Sequence, residues 1–117
     1  MKWAFKAARV NKRDGEFLLV YVIEAGDYVK VGIAADLKTR LAVCQTHCPL
    51  SCRVVFCSEK ILRPRARELE ILCQEHLIGN HVHGEWFREK SETAVDFLKS
   101  LLGADIKKDP VQLRLVA

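Results

Sequence analysis

At 117 residues the chain is long enough for one hydrophobic core and too short for two, which excludes a multidomain assembly. Half of the residues are hydrophobic and 29% are charged, a balance that excludes extended disorder, and no apolar run approaches the roughly 18 to 20 residues that span a bilayer. The net charge of +4 is mild but uneven: Lys2, Lys6, Arg9, Lys12 and Arg13 precede the first acid, Asp14, and Lys60, Arg63, Arg65 and Arg67 form a second cluster, patches that suit a polyanion or lie as solvated surface charge.

In chain order, residues 1–16 read as a basic arm without the unbroken apolar stretch of a signal peptide, so the protein is expected to be cytoplasmic, with no membrane partner. EFLLVYVIE has the length and β-branched content of a buried strand, and YVKVGIA alternates Tyr28, Lys30 and Gly32 against Val29, Val31 and Ile33. Ala25-Gly26-Asp27 is short enough to join them as an antiparallel hairpin. Asp36 is a good N-cap for a helix with Leu37, Leu41 and Cys44 on one face. RVVFCSEKI reads as a third strand, and Pro64 opens a second helix whose apolar arc runs through Ala66, Leu69, Leu72, Cys73, His76 and Leu77, with Glu70 at its margin. NHVHGEWF is expected as a loop with Trp86 and Phe87 folded back on the core; Ser91 caps a last helix that Gly103 ends. Residues 104–117, with VQLRLV, read as a tail or edge strand.

Five cysteines, an odd number without a secretion signal, fit free and mostly buried thiols. Cys44, His47, Cys48, Cys52 and Cys57 lack the paired knuckle spacing of structural zinc sites, which leaves zinc as the lesser alternative. His81 and His83 are expected as surface loop histidines.

The hairpin carrying Tyr21 and Lys30-Val31-Gly32, with Arg40 on the following helix, resembles the GIY-YIG endonuclease family, and most closely its phage-type branch with a KVG second motif and a late Gly84-Glu85-Trp86-Phe87 segment. The likeness covers about Phe17 to Phe87. It implies an α+β fold for residues 17–103, a small three-stranded antiparallel sheet flanked by helices in the order β-β-α-β-α-α. Tyr21 matches the first family tyrosine, Arg40 the catalytic arginine and Glu70 the metal-binding glutamate. The chain departs from the pattern at Leu19 for glycine, Lys30 for the second tyrosine, Cys44 for a histidine or tyrosine, and Gln74 for a histidine.

What the resemblance implies is a Mg²⁺- or Mn²⁺-dependent endonuclease acting on nucleic acid, with DNA favoured, and leaving a 5′-phosphate and a 3′-hydroxyl. Glu70 would hold the metal and Arg40 would grip the scissile phosphate with its planar, permanently charged fork. Tyr21 would act as base or orient the water, for which a phenol of ordinary pKa ~10 needs a nearby cation, and Lys30 on the adjacent strand is the expected one. Tyr28 shares the face of Lys30 and is expected to supply a further hydroxyl. Tyr28, Lys38, Arg63, Arg65 and Arg67 are the expected nucleic-acid contacts, and a homodimer would let one site per subunit cut both strands. The alternative is a catalytically lapsed module that binds nucleic acid or a protein.

Overall fold

The computed structural model describes residues 12–108, so most of the basic arm and the VQLRLV stretch lie outside the described residues. After a 3₁₀ turn at Lys12–Gly15 come strands β1 (Phe17–Ala25) and β2 (Tyr28–Ala34), helix α1 (Leu37–Thr46), β3 (Cys52–Cys57), β4 (Ile61–Leu62) and helix α2 (Arg63–His76). A 3₁₀ turn at Ile78–Asn80, strands β5 (His81–His83) and β6 (Trp86–Arg88), and helix α3 (Ser91–Lys108) complete the chain. The α+β class and the antiparallel β1–β2 hairpin are as expected.

The sheet has six strands rather than three, in the order β3-β1-β2-β6-β5, with β4 paired to the start of β1. The additional strands β4, β5 and β6 are two or three residues long, too short to show an alternating pattern in sequence. The stretch expected as a loop, NHVHGEWF, thus holds a hairpin. Ser58 manages the handover along β1 from β3 to β4: its hydroxyl accepts from the Val20 amide at 2.8 Å and its own amide donates to the Val20 carbonyl at 2.9 Å.

Both tight hairpins turn on a glycine. Ala25 pairs directly with Tyr28, leaving Gly26 (φ 59°) and Asp27 as a two-residue loop, and His83 pairs with Trp86 around Gly84 (φ 57°) and Glu85. Positive φ at the first corner alone is the type II′ pattern, whose twist matches that of paired strands.

Alternation along β1 builds two layers. Leu18, Val20 and Val22, with Val29 and Val31 of β2, pack against Ala66, Leu69 and Cys73 of α2 and Ala94 and Leu98 of α3. Leu19, Tyr21 and Ile23 face the other way, onto Leu37, Leu41 and Cys44 of α1, with Trp86 at the border. Asp36 caps α1, accepting from the Thr39 amide at 3.4 Å and the Thr39 hydroxyl at 2.7 Å.

Helix α3 differs from its sequence reading at both ends. Ser91 is its first residue and is buried, and the carboxylate at its start is that of Glu89, which accepts from the Lys90 amide (3.0 Å) and the Thr93 hydroxyl (3.2 Å). The helix passes Gly103 and continues to Lys108, the last described residue, because an isolated glycine costs a helix only about 1 kcal/mol. No described helix is long and apolar enough to cross a membrane.

Candidate active site

The site starts from a cross-strand pair. Tyr21 on β1 stands opposite Gly32 on β2, and its ring lies over the glycine: a Cβ placed there would sit 2.6 Å from Cζ and closer still to the hydroxyl. Only 2% of Tyr21 is exposed. Its hydroxyl has no hydrogen-bond partner among the described residues, and since no described buried side-chain N or O lacks one, the hydroxyl is not fully enclosed. Burial pushes its pKa up to about 12; the Arg40 guanidinium pulls downward, while Glu85, Cys44 and Glu70 push further up.

Arg40 is exposed on α1 beside a depression of about 520 Å³ lined by Ala34, Ala35, Asp36, Thr39 and Val43. It is the cation that acts on Tyr21. The expected one, Lys30, is engaged elsewhere: its ammonium lies 3.5 Å from the Glu85 carboxylate and 6.0 Å from the centre of the Trp86 ring. Register explains this, because Lys30 pairs with Trp86 of β6, next to the turn that carries Glu85.

Glu70 comes from α2, on the opposite side of the sheet from α1, and stands near an open edge of β2. Strand β6 covers β2 only at Tyr28, Val29 and Lys30, leaving the edge from Val31 onward unpaired by backbone. There the Gln74 amide donates to the Val31 carbonyl at 3.2 Å, pinning α2 to the gap, and Glu70 stands one turn earlier on the same helix. Half-buried Glu70 has its pKa raised, first by burial and then by Glu85, against the opposing pull of Arg67 and Arg40. Tyr21, Arg40, Glu70 and Glu85 therefore share one electrostatic neighbourhood, with Lys30 tied to it through Glu85.

The other expected contacts divide. Arg67 faces Glu70, and Lys38 is exposed two residues before Arg40. Arg63 lies 4.0 Å from Asp14 and Arg65 pairs with Glu68, so both are spent on local acids. Tyr28 pairs with Arg88 toward the hairpin turn and is not among the groups that act on Tyr21 or Glu70. His81 bonds the Gly84 carbonyl through Nε2 at 2.7 Å and meets the Phe87 ring edge-on, which makes it a brace for the hairpin.

Glu85 was legible only as part of a segment. Sequence showed GEWF but not that a two-residue turn would aim its acid at Lys30, although Gly84 was the local signal for such a turn. Among the described residues no three His, Cys, Asp or Glu side chains converge as a metal cage.

A family profile described as the T5orf172 domain matches residues 18–102, from the start of β1 into the last helix. The chain belongs to the T5orf172 domain family. T5orf172 domains are phage-associated and nuclease-like in fold, which agrees with the α+β architecture. Neither a search of curated proteins nor one of solved structures returned a match to this T5orf172 domain.

Proposed function

We propose that the protein is a divalent-metal-dependent endonuclease that hydrolyses phosphodiester bonds of DNA, leaving a 5′-phosphate and a 3′-hydroxyl. The observation that carries this reading is the convergence of Tyr21, Arg40 and Glu70 from three elements at the open edge of β2. A packed core has no use for such a grouping, whereas phosphoryl transfer needs a positioned water, cations on the phosphoryl oxygens and support for the leaving oxygen.

The donor set fits magnesium or manganese. Glu70 is half-buried next to Glu85, so the two ionised carboxylates repel, and a hard cation that keeps most of its waters takes only one or two such groups. Glu70 would hold the metal, with Glu85 as second carboxylate once Lys30 turns to the incoming phosphate. When bound, the metal supplies charge neutralisation and stabilises the leaving oxygen. The Arg40 fork binds two phosphate oxygens. Because the Tyr21 phenol is held at about 12, it keeps its proton at neutral pH and orients the water by hydrogen bonding rather than starting as a base.

A second reading, a lapsed nuclease that still binds nucleic acid, is favoured by the Lys30–Glu85 pair standing where the GIY-YIG pattern has a tyrosine. Supercoiled plasmid, single-stranded DNA and structured RNA incubated with Mg²⁺ or Mn²⁺ separate the two. Metal-dependent nicking by the native chain, lost in Arg40→Ala and Glu70→Ala, supports the nuclease; salt-sensitive binding without cutting supports the module. Linear product from a single encounter would add that the active unit is a dimer.

A further inference from the structure

Cys44 and Cys52 are held face to face. Their sulfurs are 3.8 Å apart, Cys44 buried on α1 and Cys52 partly buried at the start of β3. Gln45 clamps the intervening loop: its side-chain oxygen accepts from the Cys52 amide at 2.7 Å, and its nitrogen donates to the Leu50 carbonyl at 2.8 Å and the Cys48 carbonyl at 3.3 Å. This clamp presents Cys52 to Cys44 although the two lie on different elements, and with no metal cage among the described residues the pair is open to thiol chemistry.

We propose that Cys44 and Cys52 are a redox modification site, forming a reversible disulfide under a hydroperoxide and thereby shifting α1. One thiol is oxidised by the peroxide to a sulfenic acid, releasing one water. The second sulfur then attacks the sulfenic sulfur, the S–S bond forms, and the expelled hydroxide leaves as a second water with the attacking thiol's proton; two thiols and one peroxide give one disulfide and two waters. Burial, with hydrogen bonding to Cys48 and Cys44, pushes the Cys52 thiol up to about 12, which keeps it protonated and slows its reaction with peroxide.

Closure brings the sulfurs from 3.8 Å to about 2.05 Å, drawing α1 toward β3. Cys44 packs with Tyr21 and lies one turn after Arg40, so the pull reaches both. Its effect on cleavage rests on the nuclease reading; formation of the bond does not.

The full chain is treated with hydrogen peroxide, then subjected to differential alkylation and fragment-ion mass mapping. The expected result is a Cys44–Cys52 link that dithiothreitol reverses, that Cys52→Ser abolishes and that Cys48→Ser retains. A Cys48–Cys52 link, oxidation confined to exposed Cys57, or three free thiols would overturn the site. Cleavage is expected to fall at least about tenfold on oxidation and to recover on reduction, since a displacement near 1 Å costs on the order of 10²-fold. A formed link with unchanged cleavage would overturn the shift of α1. A reduced protein that never cleaves would defeat the nuclease reading alone, with the mapping still deciding the thiol pair.

Discussion

A methyl group on Gly32 would meet Tyr21 at 2.6 Å from Cζ, a distance that side chains do not tolerate, so either the ring or the strand must move. Gly32→Ala is expected to destabilise the fold by about 1 to 3 kcal/mol, read from the denaturation midpoint. Tyr21 gives a signed pH dependence. Its folded pKa of about 12 lies above the ordinary 10.0, so its contribution is complete below pH 10 and is lost as pH rises toward 12. Two units correspond to about 2 to 3 kcal/mol, and denaturation across that window should show Tyr21→Phe losing less stability than the native chain. At Glu70 the neighbouring Glu85 predicts a split outcome: Glu70→Gln should abolish plasmid nicking while stability at neutral pH holds or rises, because a repelling, half-buried charge is removed. Loss of both together would make Glu70 a structural residue.

At the scale of elements, the β5–β6 hairpin decides where Glu85 stands. It is short and mostly exposed, with Val82 51% exposed, and is tied down by Phe87, which is 2% exposed in the main core. Phe87→Ala is expected to cost about 3 to 5 kcal/mol and Val82→Ala within about 0.5 kcal/mol, both read by chemical denaturation. Long elements were readable in the sequence for the same reason that this hairpin was not. The continuous apolar run of β1, the alternation of β2 and the apolar arc of α2 each span enough residues to be read, and Asp36 marks the start of α1, while three-residue strands show no pattern. The end of α3 was misplaced because a glycine is only a weak stop when the helix has a core to pack on.

Across the whole molecule the sheet separates α1 from α2 and α3, and the candidate site lies where one edge of β2 is left open between these layers. The basic residues of one sequence cluster are thereby sorted: Arg67 is turned toward Glu70, while Arg65 is tied to Glu68. If nucleic acid crosses this edge, Arg67→Ala should lower the slope of log affinity against log salt by about 1, and Arg65→Ala should leave it nearly unchanged, as measured by fluorescence anisotropy. Equal effects at the two positions would move the binding surface elsewhere.

The sequence by itself determined the α+β class, the β1–β2 hairpin and the three helices, since these follow from local periodicity and capping chemistry, whereas the set Tyr21, Arg40 and Glu70 was implied only by the family resemblance. Tertiary structure alone decided that Lys30 belongs to Glu85, that Arg40 is the cation acting on Tyr21, and that the Glu70 charge is felt by Tyr21 from the opposite layer. Those outcomes depend on strand register and on where β6 stops, distances set between segments far apart in the chain, and no local pattern encodes them.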